Sequence, residues 1–230
     1  MKGRPDPKCA VCGVQLLERA CFVDNGQGPD FCPTQGFRET LEDAARAYAD
    51  PQVREFARLA SVQEGECYLD RDKPPFLPHC SKTRIQEVCE FARKLGARKL
   101  GLAFCVGLAQ EARTLHDIFT AQGFETASVV CKAGRILKEE SLGVRDDEKI
   151  LIGTAESACN PIAQARILNR VGTDLNVLLG LCVGHDALFF KHADAYTTVL
   201  AVKDRVTGHN PLAALYTSHM YCLYLHRPGF

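Results

Sequence analysis

Lys99-Leu100-Gly101-Leu102-Ala103-Phe104-Cys105-Val106-Gly107 and Gly180-Leu181-Cys182-Val183-Gly184 carry one pattern: an apolar run, then Cys-Val-Gly. A short apolar run that stops at glycine reads as a strand buried on both faces, followed by a helix start. Working outward, Ile85, Val88, Cys89, Ala92 and Leu95 recur at helical spacing and stop at Gly96, just ahead of the first of these strands, Lys99 to Cys105. Behind it, Leu108, Ala112, Leu115, Ile118 and Phe119 share a helix face ending near Gly123, and Phe124 to Cys131 is a second strand rich in Val and Thr. Asn160 is placed to cap a helix over Pro161 to Val171, with proline at its first position. Leu175 to Cys182 is a third strand, Asp186 to Lys191 a short helix and Tyr196 to Val202 a fourth strand, before a last helix near Pro211. Strands alternating with helices at this spacing imply right-handed crossovers and a parallel sheet covered on both faces. The fold class is α/β, a parallel-sheet three-layer domain; the polar stretch from Lys132 to Lys149 carries no clear signal.

The first thirty-odd residues read differently. Pro5, Pro7, Gly13, Asn25, Gly26, Gly28, Pro29 and Pro33 punctuate them, with Cys9, Cys12, Cys21 and Cys32 between. A helical stretch follows from Thr34 to Gln63, with Pro51 starting a second helix after Asp50. Lys73-Pro74-Pro75-Phe76-Leu77-Pro78 is stiff and extended. The reading divides the chain into a Cys-rich metal-binding module with helices over 1–72, a Pro-rich linker over 73–80, and the α/β domain over 81–230.

The 230 residues hold 46% hydrophobic and 24% charged side chains, enough for a sizeable core. Lys and Arg number 28 and so do Asp and Glu, which argues against nucleic acid as a partner because phosphate neutralisation needs a basic surplus or face. The apolar stretch near Asn176 to Gly184 is too short to span a bilayer. The opening Met1-Lys2-Gly3-Arg4-Pro5-Asp6-Pro7 has no apolar core of a signal peptide, so a cytoplasmic location is expected.

Cysteine stands out: 12 residues, beside 2 Met and no Trp. In a reducing compartment cysteines persist as thiols or metal ligands. All C-termini of a parallel sheet lie on one edge, with the N-termini of the helices that leave them. Cys105, Cys131 and Cys182 each end a strand, and Cys159 sits before the cap of the helix leading to the third strand. Four cysteines therefore share the edge where open α/β sheets carry their sites, as a metal site or a reactive thiol cluster. Four thiolates suit tetrahedral zinc or an iron–sulfur cluster; three leave a position open for substrate. Gly107 and Gly184 would let the backbone approach a bound group. Cys9-Ala10-Val11-Cys12, Cys21 and Cys32-Pro33 supply a second set of four ligands in a segment with little other means to fold. Cys67, Cys80, Cys89 and Cys222 read as structural. His185 follows Cys182, Asp204 and Arg205 follow the fourth strand, and His209 opens the last helix, so these four are the candidates for acid–base or anion-binding roles.

Three runs carry a family resemblance: Cys159-Asn160-Pro161-Ile162-Ala163-Gln164-Ala165, Gly180-Leu181-Cys182-Val183-Gly184-His185-Asp186, and Lys203-Asp204-Arg205-Val206-Thr207-Gly208-His209-Asn210-Pro211. With Thr83-Arg84-Ile85-Gln86-Glu87, Gly101 to Gly107, Ser128-Val129-Val130-Cys131-Lys132 and the N-terminal C-x-x-C ending at Cys32-Pro33-Thr34, the chain resembles the uncharacterised metal-binding proteins grouped as domain of unknown function 1847 in anaerobic bacteria and archaea. The resemblance implies metal binding, and through the anaerobic setting an iron–sulfur cluster ahead of zinc; it implies no reaction. The expectation is a cytosolic protein with two thiolate metal sites. The alternatives are an iron–sulfur-dependent enzyme acting on a sulfur-containing or small anionic ligand, and a metal-stabilised binding or regulatory module without catalysis.

Overall fold

The computed structural model describes residues 5–229; Met1 to Arg4, which the signal-peptide reading includes, lie outside the described residues. The chain divides into two compact units, residues 1–62 and 63–230.

The first unit opens with two single 3₁₀ turns, Cys9–Val11 and Leu16–Glu18. The chain then doubles back: Ala20 N–H donates to Gln27 O at 2.8 Å and Gln27 N–H to Glu18 O at 2.7 Å. The single helical stretch read from Thr34 to Asp50 is two helices, α1 (Pro33–Gly36) and α2 (Arg38–Ala47), neither with a buried residue. Helix α3 (Pro51–Gly65) starts at the expected proline. Asp50 Oδ1 accepts the Gln52 and Val53 N–H groups at 2.7 and 3.2 Å, so a carboxylate meets the positive end of the helix.

In the second unit, a two-residue antiparallel ladder of β1 (Tyr68–Leu69) and β2 (His79–Cys80) closes the loop that contains the Pro-rich stretch. Helix α4 (Arg84–Lys94) is entered through a capping box: Thr83 Oγ1 accepts from Gln86 N–H, and Gln86 Oε1 accepts from Thr83 N–H at 2.9 Å. Strands β3 (Lys99–Phe104) and β4 (Glu125–Val130) are joined by α5 (Ala109–Ala121). The stretch from Lys132 to Lys149 holds a short helix, α6 (Lys138–Leu142), in an otherwise irregular excursion. Helix α7 (Pro161–Val171) leads into β5 (Leu175–Leu179), α8 (His185–His192) into β6 (Thr197–Ala201), and α9 (Leu212–Tyr216) follows. Asn160 caps α7, its Oδ1 accepting Ala163 N–H at 3.0 Å. Among the described residues no helix is long and apolar enough to cross a membrane.

The four main strands form one parallel sheet in the order β4-β3-β5-β6. Every residue of β5 and the central four of β3 are buried, as strands covered on both faces must be. Phe119 of α5, Leu168 of α7 and Phe189 of α8 are fully buried and, with Leu100, Leu102, Val177 and Leu178, make the core. Polar groups sit within it as well. Asn176 of β5 is fully buried; its Oδ1 accepts from Thr173 Oγ1 at 2.8 Å and its amide donates to Thr197 Oγ1 at 3.5 Å. A Cβ at Gly101 would sit 2.1 Å from that Oδ1, so glycine is what lets β3 and the Asn176 amide share the space. The connection after β3 runs to one side of the sheet and the one after β5 to the other. The switch point thus falls between their C-termini, where open α/β sheets bind their ligands.

Candidate functional site

The main chain carries all four core cysteines to this C-terminal edge. Cys105 N–H donates to Leu179 O at 3.1 Å, Cys131 N–H to Phe104 O at 2.9 Å and Asn160 N–H to Cys131 O at 2.7 Å. These extend the parallel ladders one residue past the strands, fixing Cys105, Cys131 and Cys159 side by side. Across the switch point Lys203 N–H donates to Leu181 O at 3.1 Å, which fixes the segment holding Cys182.

The side chains sort into a close pair and two neighbours. Cys131 and Cys159 sulfurs share a hydrogen bond at 3.7 Å. Cys131 is only 2% exposed and also accepts Val106 N–H at 3.3 Å, whereas Cys159 is half-buried. The two thiols are driven apart in acidity. The hydrogen bond from Cys131 and the charges of Lys132 and His185 bring Cys159 down to about 5, against the effect of burial. The hydrogen bond to Cys159, burial and the nearby Cys105 push Cys131 well above the ordinary thiol range. Cys159 is thus the more acidic thiol of the pair and Cys131 the less acidic. Cys182 has a different partner: Arg205 Nη2 donates to its sulfur at 3.2 Å.

The remaining candidates have definite places. His185 is the first residue of α8, and its charge acts on Cys159. Asp204 and His209 serve a turn. Asp204 Oδ1 accepts the Val206 and Thr207 N–H groups at 2.9 and 3.0 Å, while His209 Nδ1 accepts Asp204 N–H at 3.2 Å. These backbone donors, Thr207 first, hold the Asp204 carboxyl below its usual range. A Cβ at Gly107 would lie 3.5 Å from Lys203 Nζ and 3.9 Å from Cys105 Sγ, so a lysine and a thiol flank that glycine; Gly184 immediately precedes α8.

Three participants lacked a signal strong enough to single them out. Lys132 directly follows Cys131 in a stretch without periodicity, and its ammonium donates to Ser157 O beside the thiol pair. Gln164, fully buried in the first turns of α7, donates to Phe104 O at 3.1 Å and Val129 O at 2.7 Å, bridging the ends of β3 and β4; its Oε1 has no partner among the described residues. Gly180 has φ +66°, and a Cβ there would meet Leu108 Cδ1 at 2.1 Å, so the turn that presents Cys182 requires glycine.

In the N-terminal unit Cys9 and Cys12 flank one 3₁₀ turn, with Cys12 N–H donating to Cys9 O at 3.2 Å, and Cys32 precedes α1. Cys32 packs against Gly28, where a Cβ would meet its sulfur at 2.7 Å. Cys9 and Cys21 are exposed, and Cys12 and Cys32 half-buried.

Four thiols are a donor set that zinc and iron–sulfur clusters take. Around a tetrahedral metal with bonds of about 2.3 Å, sulfurs lie about 3.8 Å apart. The 3.7 Å pair has that spacing. Among the described residues, however, no three Cys, His, Asp or Glu side chains are already arranged to hold a metal ion. The pair fits two corners of a site, and Cys105 and Cys182 would have to turn toward it.

A parallel α/β sheet with thiols at the C-terminal ends of three strands and at a helix entry is the class of protein this geometry defines. Within that class, the chain belongs to the family described as Protein of unknown function (DUF1847), which matches residues 32–200. It is similar to an uncharacterised protein of Methanocaldococcus jannaschii, 47% identical over 212 residues that cover 92% of this chain and 95% of the relative. The family match takes in Cys32, Cys105, Cys131, Cys159, Cys182 and His185; Cys9, Cys12 and Cys21 precede it, and Asp204, Arg205 and His209 follow it.

Proposed function

We propose that the protein is a cytoplasmic thiolate metal-binding protein with a core centre held by Cys105, Cys131, Cys159 and Cys182, and a second centre held by Cys9, Cys12, Cys21 and Cys32. The observation that carries this reading is the Cys131–Cys159 pair, two sulfurs from distant parts of the chain at the spacing of coordinated thiolates. Val106 N–H aimed at the Cys131 sulfur supports it, since a donor to sulfur stabilises the thiolate form that a metal needs. An iron–sulfur cluster is the first choice of metal group and zinc the second; the first would supply an electron-transfer centre, the second a Lewis acid.

A second reading is enzymatic, and the Arg205–Cys182 contact favours it. A guanidinium beside a thiol binds a small anionic or sulfur-containing molecule through its fork of donors, while Lys132 and Lys203 add positive charge on the same edge. His185 would hold or move a proton beside Cys159. Asp204 and His209 would shape the turn that presents Arg205.

Metal analysis of protein purified without oxygen tests the main reading. Wild type should carry metal, and Cys131→Ser with Cys159→Ser should remove the core share and leave the N-terminal share. If that double variant retains the full complement, the core centre is refuted.

A further inference from the structure

We infer that Cys131 and Cys159 form a redox-active dithiol that exchanges with low-molecular-weight disulfides, Cys159 meeting the external disulfide and Cys131 closing the internal bond. This goes beyond metal binding and holds for the metal-free chain. The sulfurs start 3.7 Å apart, and a disulfide needs about 2.05 Å, so oxidation has a short gap to close. The main chains stay in place, because the 2.7 Å bond from Asn160 N–H to Cys131 O fastens the two segments together.

Exposure assigns the roles. Cys159 is half-buried and reachable from solvent; Cys131, 2% exposed, can be reached only by its neighbour. Lys132, whose ammonium donates to Ser157 O beside the pair, places positive charge near Cys159, which favours a disulfide bearing carboxylates, such as one built from anionic peptide thiols.

The step balances as follows. The Cys159 thiolate attacks one sulfur of the small disulfide, forming a mixed disulfide and expelling one small thiolate, which takes up a proton. Cys131 then gives up its proton and attacks the Cys159 sulfur, expelling the second small thiolate, which is protonated in turn. Two protein thiols are oxidised by two electrons and one external disulfide is reduced to two thiols. Val106 N–H, aimed at Cys131, stabilises the thiolate that leaves when the bond is reopened. Oxidation removes two of the four donors proposed for the core metal, so the oxidised chain cannot hold that centre.

The test uses the full chain, reduced and stripped with a chelator, equilibrated without oxygen in buffers of reduced and oxidised glutathione, then acid-quenched and mapped by mass spectrometry. The expected result is a peptide cross-linked through Cys131 and Cys159 that appears as the buffer becomes oxidising and disappears when it is made reducing again. Cys131→Ala should instead accumulate glutathione on Cys159, because the resolving thiol is gone; if that variant does not fold, Cys131→Ser supplies the same readout. Free Cys131 and Cys159 across the whole range, or Cys159 joined to another cysteine in wild type, would overturn the inference. No metal enters this experiment, so failure of metal uptake by the reduced chain leaves its outcome unaffected.

Discussion

Replacing Gly101 by Ala tests the packing that places the thiol edge. The new Cβ would lie 2.1 Å from Asn176 Oδ1 and 3.0 Å from Leu168 Cδ1. Leu168 and Asn176 are fully buried, and the Asn176 amide is held by Thr173 at 2.8 Å and Thr197 at 3.5 Å. Something must move, and the Asn176 side chain is the group in the way. Overpacking costs about 1–3 kcal/mol, and a buried amide or hydroxyl stripped of its partner costs about 1–3 kcal/mol more. The sum, roughly 2–6 kcal/mol, is a large share of the stability of a typical domain. At this chain length it lowers the thermal midpoint by roughly 4–24 °C. Urea unfolding at constant m-value measures the loss. In a double-mutant cycle Asn176→Ala should cost less in the Gly101→Ala background than in wild type, with a coupling of about 1 kcal/mol or more. A Gly101→Ala protein within about 0.5 kcal/mol of wild type, with no coupling to Asn176, would refute this account of the core.

Other perturbations read the site itself. With its thiol near pH 5, metal-free Cys159 should react with iodoacetamide at a rate that is flat around neutrality and falls about tenfold per unit below that value, and Lys132→Met should move the midpoint upward; a midpoint in the ordinary thiol range contradicts the electrostatic assignment. From about pH 5 to the ordinary thiol range the folded pair binds one proton and the unfolded chain two. The pair's contribution to stability therefore rises with pH across that window and is lost as pH falls through about 5, which urea midpoints across the range will show. Arg205→Ala should lower the alkylation rate of Cys182, because the guanidinium that donates to its sulfur favours the reactive thiolate, and an unchanged rate argues against the contact. Cys9→Ser with Cys12→Ser should lower metal content without changing alkylation of Cys131 and Cys159; loss of both centres would join the two cysteine groups.

The architecture was readable because each strand and helix carries its own periodicity. The buried runs at Lys99–Phe104 and Leu175–Leu179, the Asn160-Pro161 helix start and the glycine stops need no tertiary information. Backbone position follows from topology, which is why the cysteine positions share one edge in the sequence pattern as in the fold. Side-chain direction does not follow from it. Cys182 ends its segment as Cys105 does, yet its sulfur faces Arg205, from beyond the next strand. Lys132 and Gln164 were invisible as site residues for the same reason: one lies in an aperiodic stretch, and the other looks like any polar residue early in a helix until its amide is seen bridging two strand ends. Asp204 and His209 looked like chemistry and mainly hold a turn, because Asx-type bonding to the next amides is indistinguishable in sequence from an exposed carboxylate.

The central claim is that Cys105, Cys131, Cys159 and Cys182 act together on one metal centre. Titration of the reduced, metal-free chain with cadmium, followed by alkylation and peptide mapping at each step, tests it most directly, because thiolate–metal absorption and thiol protection are read on the same sample. All four should lose reactivity together, in proportion to the charge-transfer absorption, and saturate at one stoichiometry. Cys131 and Cys159 alkylating at the same rate with and without cadmium, or protection of Cys105 and Cys182 at a different stoichiometry, would contradict it.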